Sequence, residues 1–215
     1  MLGKVITIAQ QKGGSGKTTL SLNLAVSLLK DKRKVAILDT DPQGSLGRWF
    51  MARCERLGDK SPGLGFRTAS AWGARYEARE LAKDHDYVLI DTPPKMGVDG
   101  RPAIEVADLV IVPVAPSPMD LWATEPTLEL ALGEKKTTLL VMNRVPARAK
   151  ITEQVRDVLK KLNCQCSNTM LGNRVLFAET SGNGQSVVEK RPSSSAAGEV
   201  QNLAKEVRRL LNKQP

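Results

Sequence analysis

Residues Lys4–Thr19 read KVITIAQQKGGSGKTT: a short β-branched apolar run, a glycine-rich loop, and the first residues of a helical pattern. The run Lys4–Ala9 has the near-continuous hydrophobicity of a strand buried on both faces, as in a parallel sheet. Beyond the loop, Leu20, Leu24, Ser27 and Leu28 fall on one face of a helix. The phosphate-loop pattern G-x-x-x-x-G-K-[ST] requires a glycine where Gln11 stands, so this loop is a variant, K-G-G-x-G-K-T, with a second lysine, Lys12, near its start. Its chemistry is intact. Gly13, Gly14 and Gly16 let backbone amides turn inward around a phosphate at the positive end of the following helix. Lys17 reaches the β- and γ-phosphates and the Thr18 hydroxyl ligates Mg²⁺. Ser15 and Thr19 complete the predicted lining.

Working outward, the same kind of run recurs at Lys34–Asp39, Tyr87–Asp91, Leu109–Val114 and Thr138–Met142. Amphipathic segments alternate with these runs, among them Trp122–Leu132, Thr152–Leu162 and Ala197–Leu211. This alternation predicts an α/β fold, a three-layer sandwich around a mostly parallel sheet, with residues 1–215 forming one phosphate-loop domain. Lys190–Gly198 (KRPSSSAAG) reads as a loop before the last helix.

Two of the strands end in carboxylates, in Leu38-Asp39-Thr40-Asp41-Pro42-Gln43 and Ile90-Asp91-Thr92-Pro93-Pro94. The carboxyl ends of strands are where an α/β sheet places its ligand chemistry. A strand-end aspartate also serves as a helix cap or turn former, so weight rests on the constellation with the loop. Asn143 follows a further strand in Val141-Met142-Asn143-Arg144, a position that also suits an ordinary turn residue.

Composition bounds the partners. The 215 residues carry 32 Lys+Arg against 23 Asp+Glu, a formal charge of +9. That excess splits +5 to residues 1–105 and +4 to residues 106–215, so it forms no polybasic tail. It is compatible with a polyanion partner and equally with a solvated mixed surface. Cys54, Cys164 and Cys166 lack metal-ligand spacing, and the single histidine, His85, reads as an exposed residue at a helix end. No run approaches the ~18 apolar residues of a spanning helix, and the N-terminus lacks the layout of a cleavable signal, so a cytoplasmic protein is expected.

The loop with its extra lysine, DxDPQ at Asp39–Gln43 and the hhhhDxPP pattern ending at Asp91–Pro94 resemble the ParA/MinD group of deviant-Walker-A ATPases. The resemblance implies ATP and Mg²⁺ as cofactors. It implies that Lys12 crosses a dimer interface to the partner's nucleotide and acts there like an arginine finger. It further implies that Asp91 holds Mg²⁺ through its water shell with Asp39 assisting, that Asp41 orients the attacking water, and that Asn143 contacts adenine.

Leu109–Asp120 (LVIVPVAPSPMD) and Asn173–Glu189 (NRVLFAETSGNGQSVVE) extend the likeness, over almost the full chain, to small plasmid-type ParA partition ATPases. Those lack the N-terminal DNA-reading domain of larger relatives, and here the first strand starts by Lys4. The implied behaviour is an ATP-dependent homodimer that binds nucleoid DNA without sequence preference. A ParB-type adaptor would then stimulate hydrolysis. Arg174, Lys190 and Arg191 fall near the family's DNA-contacting arginines. Two alternatives stand beside this: a MinD-like membrane-associated regulator, and a metabolic ATP-dependent enzyme. The helix ending in Leu203–Pro215 is expected to pack on the sheet rather than on a membrane, so no stable membrane association is expected.

Overall fold

Strands β1 (Lys4–Ile8), β2 (Val35–Asp39), β3 (Leu64–Thr68), β4 (Tyr87–Asp91), β5 (Leu109–Val114), β6 (Thr137–Met142) and β7 (Gln165–Cys166) form one sheet. Their order is β3-β2-β4-β1-β5-β6-β7, and every pairing is parallel. The computed structural model describes residues 2–58, 62–94, 100–147, 150–162 and 164–213. Residues of β2, β4 and β5 are buried throughout, which is why their sequences show unbroken apolar runs rather than alternation. Pro113 sits inside β5 at no cost to pairing. β1 pairs with β5 only as far as Ile111, so no ladder bond is lost there, and the Pro113 carbonyl accepts from Gln10 Nε2 at 3.3 Å.

Alternate strand residues feed two faces. Ile6, Ile8, Ile37, Leu89 and Ile111 pack with helices α1 (Lys17–Lys30), α2 (Ser45–Leu57) and, further along the chain, α8 (Val175–Ser181), α9 (Val187–Lys190) and α10 (Ser195–Asn212). Val5, Leu38, Val88, Val110 and Val112 face α3 (Ala74–Leu81), α4 (Arg101–Glu105), α6 (Glu125–Gly133) and α7 (Lys150–Leu159). The three-layer sandwich is thus present, with the sheet entirely parallel.

Helix α1 is buried continuously from Leu20 to Leu28 rather than on one face, because α9 and α10 cover the side turned away from the sheet. Helix α10 buries Val200, Leu203, Ala204, Val207 and Leu211, and so packs as a core helix; residues 214–215 of the expected tail lie outside the described residues. It begins at Ser195 under a Ser194 cap, which shortens the expected loop. The expected helix at Trp122–Leu132 is two, α5 (Pro118–Trp122) and α6, with Pro126 in the first turn of the second. His85 is half-buried rather than exposed: its Nδ1 lies 2.8 Å from the Leu81 carbonyl and its ring covers Gly65. Among the described residues no helix is long and apolar enough to cross a membrane.

Candidate active site

Strand register assembles the site. Asp39 and Asp91 are directly paired at the carboxyl ends of β2 and β4, and Ile8 pairs with Asp91 where β1 enters the glycine loop. Gly14 (φ 74°) and Gly16 (φ 90°) take left-handed backbone that a side chain would strain. A Cβ on Gly16 would also collide with the amide nitrogen of Asn143. The loop runs into α1 with Gly16 as its N-cap and no side chain capping it, which leaves first-turn N–H groups for an anion. A cavity of about 540 Å³ opens here, walled by the loop, Thr18, Asp41, Arg48, Trp49 and Arg144.

Inside this cradle Thr18, Asp91, Asp39 and Lys17 are each tied to a neighbour. Thr18 Oγ1 donates to Asp91 Oδ2 at 2.6 Å, and Ser21 Oγ lies 3.0 Å from Asp91 Oδ1. Burial pushes the Asp91 carboxyl up to about 7, opposed by the Thr18 and Ser21 hydroxyls and reinforced by Asp39. Burial likewise raises Asp39, although the amides of Gly47 (2.9 Å) and Asp41 (3.1 Å) donate to it. Those two bonds make Asp39 the anchor of the loop that carries Asp41. Lys17 is buried, and its ammonium is pushed down by that burial against the pull of Asp91 and Asp41. With Nζ donating to the Gln10 carbonyl at 2.9 Å, it rests on the loop's own backbone.

These residues fit a nucleotide triphosphate with a divalent cation. The glycines leave room that a Cβ would take, a lysine and helix N–H groups face the cavity, and the buried Ser15 hydroxyl has no protein partner. A hydroxyl beside a carboxylate, Thr18 with Asp91, is the oxygen donor set that suits Mg²⁺.

The other expected residues lie around this centre. Asn143 is buried, its Nδ2 donating to the Ser15 carbonyl at 2.8 Å. It walls a second cavity of about 220 Å³ with Arg144, Asn173, Arg174 and Phe177. Arg174 therefore lines a pocket next to the loop and is ion-paired with Glu199 of α10. Lys190 and Arg191 are at the end of α9 and line neither of these cavities; Arg191 is exposed and Lys190 exposed at its side. Lys12 does not line the nucleotide cavity either; its Nζ lies 2.7 Å from Asp120 Oδ2.

Sequence reasoning did not single out Ser21, Arg48, Trp49, Arg144 or Asp120. Ser21 carries a signal, standing one helical turn after Lys17 on the side of Asp91. Arg144 has the left-handed φ of 54°, which no sequence pattern announces.

Residues 6–188 match the model of the CobQ/CobB/MinD/ParA nucleotide binding domain. The chain is 30% identical over 211 residues to the maintenance of carboxysome distribution protein A of Halothiobacillus neapolitanus, covering 94% of this chain and 95% of that protein. It is 29% identical over 234 residues to the chromosome-partitioning ATPase Soj of Thermus thermophilus, covering 94% of each. In fold it is similar to the septum site-determining protein MinD of Pyrococcus horikoshii solved with Mg-ADP, with a TM-score of 0.82, 21% identity and 97% of both chains covered. An ATP complex of a Cyanothece McdA variant gives 0.77 at 17% identity, covering 99% of this chain and 98% of that one.

Proposed function

This chain belongs to the CobQ/CobB/MinD/ParA nucleotide-binding family, and from that premise we propose that it is a switch in which ATP joins two protomers, with DNA as the track for a cargo. It is a ParA/MinD-type ATPase that uses ATP and Mg²⁺. When bound, Mg²⁺ supplies positive charge against the transferring phosphoryl group. Thr18 and Asp91 are the residues that would hold it, with Asp39 behind them. Lys17 leaves the Gln10 carbonyl to neutralise phosphate, and Asp41, on the loop anchored by Asp39, orients the attacking water. Asn143 meets the base from the neighbouring cavity.

The observation that carries the switch reading is the position of Lys12. It stands beside a complete phosphate cradle yet outside its own cavity, a placement that suits a cation serving another protomer's nucleotide. Hydrolysis then depends on dimerisation. The joined protomers present enough positive charge to hold duplex DNA through its phosphates, without reading sequence. An adaptor of ParB type links the dimer to its cargo and stimulates turnover. Because the chain is 30% identical to a carboxysome distribution protein, a protein body is supported as cargo alongside plasmid or chromosomal DNA.

Asp41→Ala tests this. The variant should bind ATP and dimerise while turnover falls about 100-fold or more, because positioning of the nucleophile is lost and the cradle is not. Wild-type protein should retard duplex DNA with ATP and not with ADP, and less as salt rises. Undiminished turnover in Asp41→Ala moves the water-positioning role elsewhere, and equal DNA binding with ADP removes the switch.

A further inference from the structure

The ion pair between Lys12 and Asp120 spans 108 residues of sequence and sits in a polar network that begins at the phosphate loop. Asp120 is nearly buried, at 9% side-chain exposure, whereas Lys12 is 35% exposed and so free to leave. The carboxylate is held in place by its own short helix. Ser117, the N-cap of α5, hydrogen-bonds the same oxygen that Lys12 contacts and accepts from the Asp120 amide at 3.1 Å, while Thr124 Oγ1 donates to the Asp120 carbonyl at 2.7 Å. That Thr124 hydroxyl in turn accepts from the Gln10 amide at 3.0 Å. Gln10 is fully buried, and its own carbonyl, with that of Lys12 at 3.5 Å, receives the Lys17 ammonium. One chain of contacts therefore runs from Lys17, the group that must move to meet phosphate, through Gln10 and Thr124 to Asp120 and Lys12.

The geometry points to Asp120 as a positioning residue that parks Lys12 in its own protomer until nucleotide loosens the network; this rests on the switch reading above. With Lys17 on the loop carbonyls, the segment Gln10–Lys12 is fastened and the Lys12 ammonium is neutralised by Asp120. Once Lys17 turns to phosphate, both carbonyls are released; the Lys12 side chain is then held by the Asp120 pair, while its backbone N–H stays 3.5 Å from Gln10 Oε1. A second protomer bearing an anionic nucleotide competes for the same cation. Helix α5 also leaves Met119 and Trp122, 66% and 67% exposed, on either side of Asp120, so apolar surface flanks the place from which Lys12 departs.

If a parked state limits dimerisation, the apparent dissociation constant is raised in inverse proportion to the fraction of protomers whose lysine is free. Asp120→Asn keeps the shape and removes the charge. In sedimentation or light scattering with ATP and Mg²⁺, its dimer should form at a protein concentration about five- to tenfold lower than wild type, with basal turnover raised in the same proportion. Neither gain should appear when Asp120→Asn is combined with Lys12→Ala, since there is then no lysine to release. Asp120→Glu should restore the wild-type threshold. Ser117→Ala, which loosens the carboxylate without removing it, should shift the threshold in the same direction by less.

An unchanged threshold in folded Asp120→Asn overturns the parking role, as does an equal gain with and without Lys12. A wild-type protein that stays monomeric with ATP overturns the switch itself, a result read without any variant.

Discussion

Two carboxylates, Asp91 buried in the nucleotide cradle and Glu189 half-buried in α9, lie in opposite regimes. Glu189 is lowered: burial pushes it up, but the Arg53 guanidinium outweighs this, bonding both oxygens at 2.9 and 2.8 Å. Arg53 is itself filled on every side, by the Pro62 carbonyl at 3.0 Å, the Gly184 carbonyl and the Trp49 ring 5.6 Å away. Asp91 is raised to about 7, and among the described residues its side chain accepts only from hydroxyls. The first region is a finished joint between α2 and α9. In the second, charge has been buried ahead of its partner. A site that must bind a cation and a polyanion is poorly satisfied when alone, and the joint beside it supplies the stability the site forgoes.

The largest effect that would break this contrast is on chemistry. Asp91→Asn should lower turnover by roughly 10²–10³-fold, through loss of charge at the metal position. The same variant should be more stable than wild type in nucleotide-free, Mg²⁺-free buffer at neutral pH. The folded-state pKa of Asp91 lies above its unfolded value, so between the ordinary carboxylate range and about 7 the folded chain holds a proton that the unfolded chain has released. Wild-type stability should therefore fall as pH rises through that window, and Asp91→Asn should lack that part of the fall. Thermal unfolding of both proteins at pH 5 and pH 8 measures it; parallel shifts would show that Asp91 is not an uncompensated charge.

Next in size is the joint. Arg53→Ala removes the cation that bonds both oxygens of the half-buried Glu189, leaving Arg56 at 3.8 Å as a weaker partner, and should cost about 2 kcal/mol, roughly 4–8 °C in Tm for a chain of this length. The pH dependence has the opposite sign here. A lowered carboxylate contributes stability that is present above its unfolded pKa and lost as pH falls through the folded one. That acid-side loss should be smaller in the variant. Because α2 also places Arg48 and Trp49 at the nucleotide cavity, ATP affinity should weaken along with stability. A melting temperature within about 1 °C of wild type would deny the joint its role.

How much of this was legible in the sequence follows from the range of each interaction. Strands β1, β2, β4, β5 and β6 are buried on both faces and announce themselves as apolar runs. β3 is an edge strand, with Arg67 and Thr68 exposed, and β7 has only two residues, so neither needs such a run. The loop glycines, Lys17, Thr18, Asp39 and Asp91 were readable because backbone geometry puts them together: the loop by sequence adjacency, the carboxylates by their place at strand ends. Asp120 and Arg53 were not, since their partners lie 108 and 136 residues away and their local sequence suits a helix cap and a solvated helix equally well. The continuous burial of α1 was hidden for the same reason, because the covering helix α10 comes from the other end of the chain.

The smallest effect concerns the residues that neither region uses. Lys190 and Arg191 follow Glu189 directly, so the joint holds them at a fixed place on the surface while the Arg191 side chain stays exposed. Arg174 differs, because Glu199 already neutralises it. If the first two meet DNA phosphates, replacing both by Ala should leave stability within about 0.5 kcal/mol of wild type. ATP-dependent binding to duplex DNA should weaken several-fold. The slope of log K against log salt should flatten by about 0.9 for each phosphate that is no longer neutralised. Arg174→Ala should flatten it less, since an arginine already paired with Glu199 neutralises no phosphate. A slope unchanged in the Lys190/Arg191 double variant would place the DNA face elsewhere on the dimer and leave the end of α9 as solvated surface. A larger slope change in Arg174→Ala would mean that Glu199 gives up its arginine when DNA arrives.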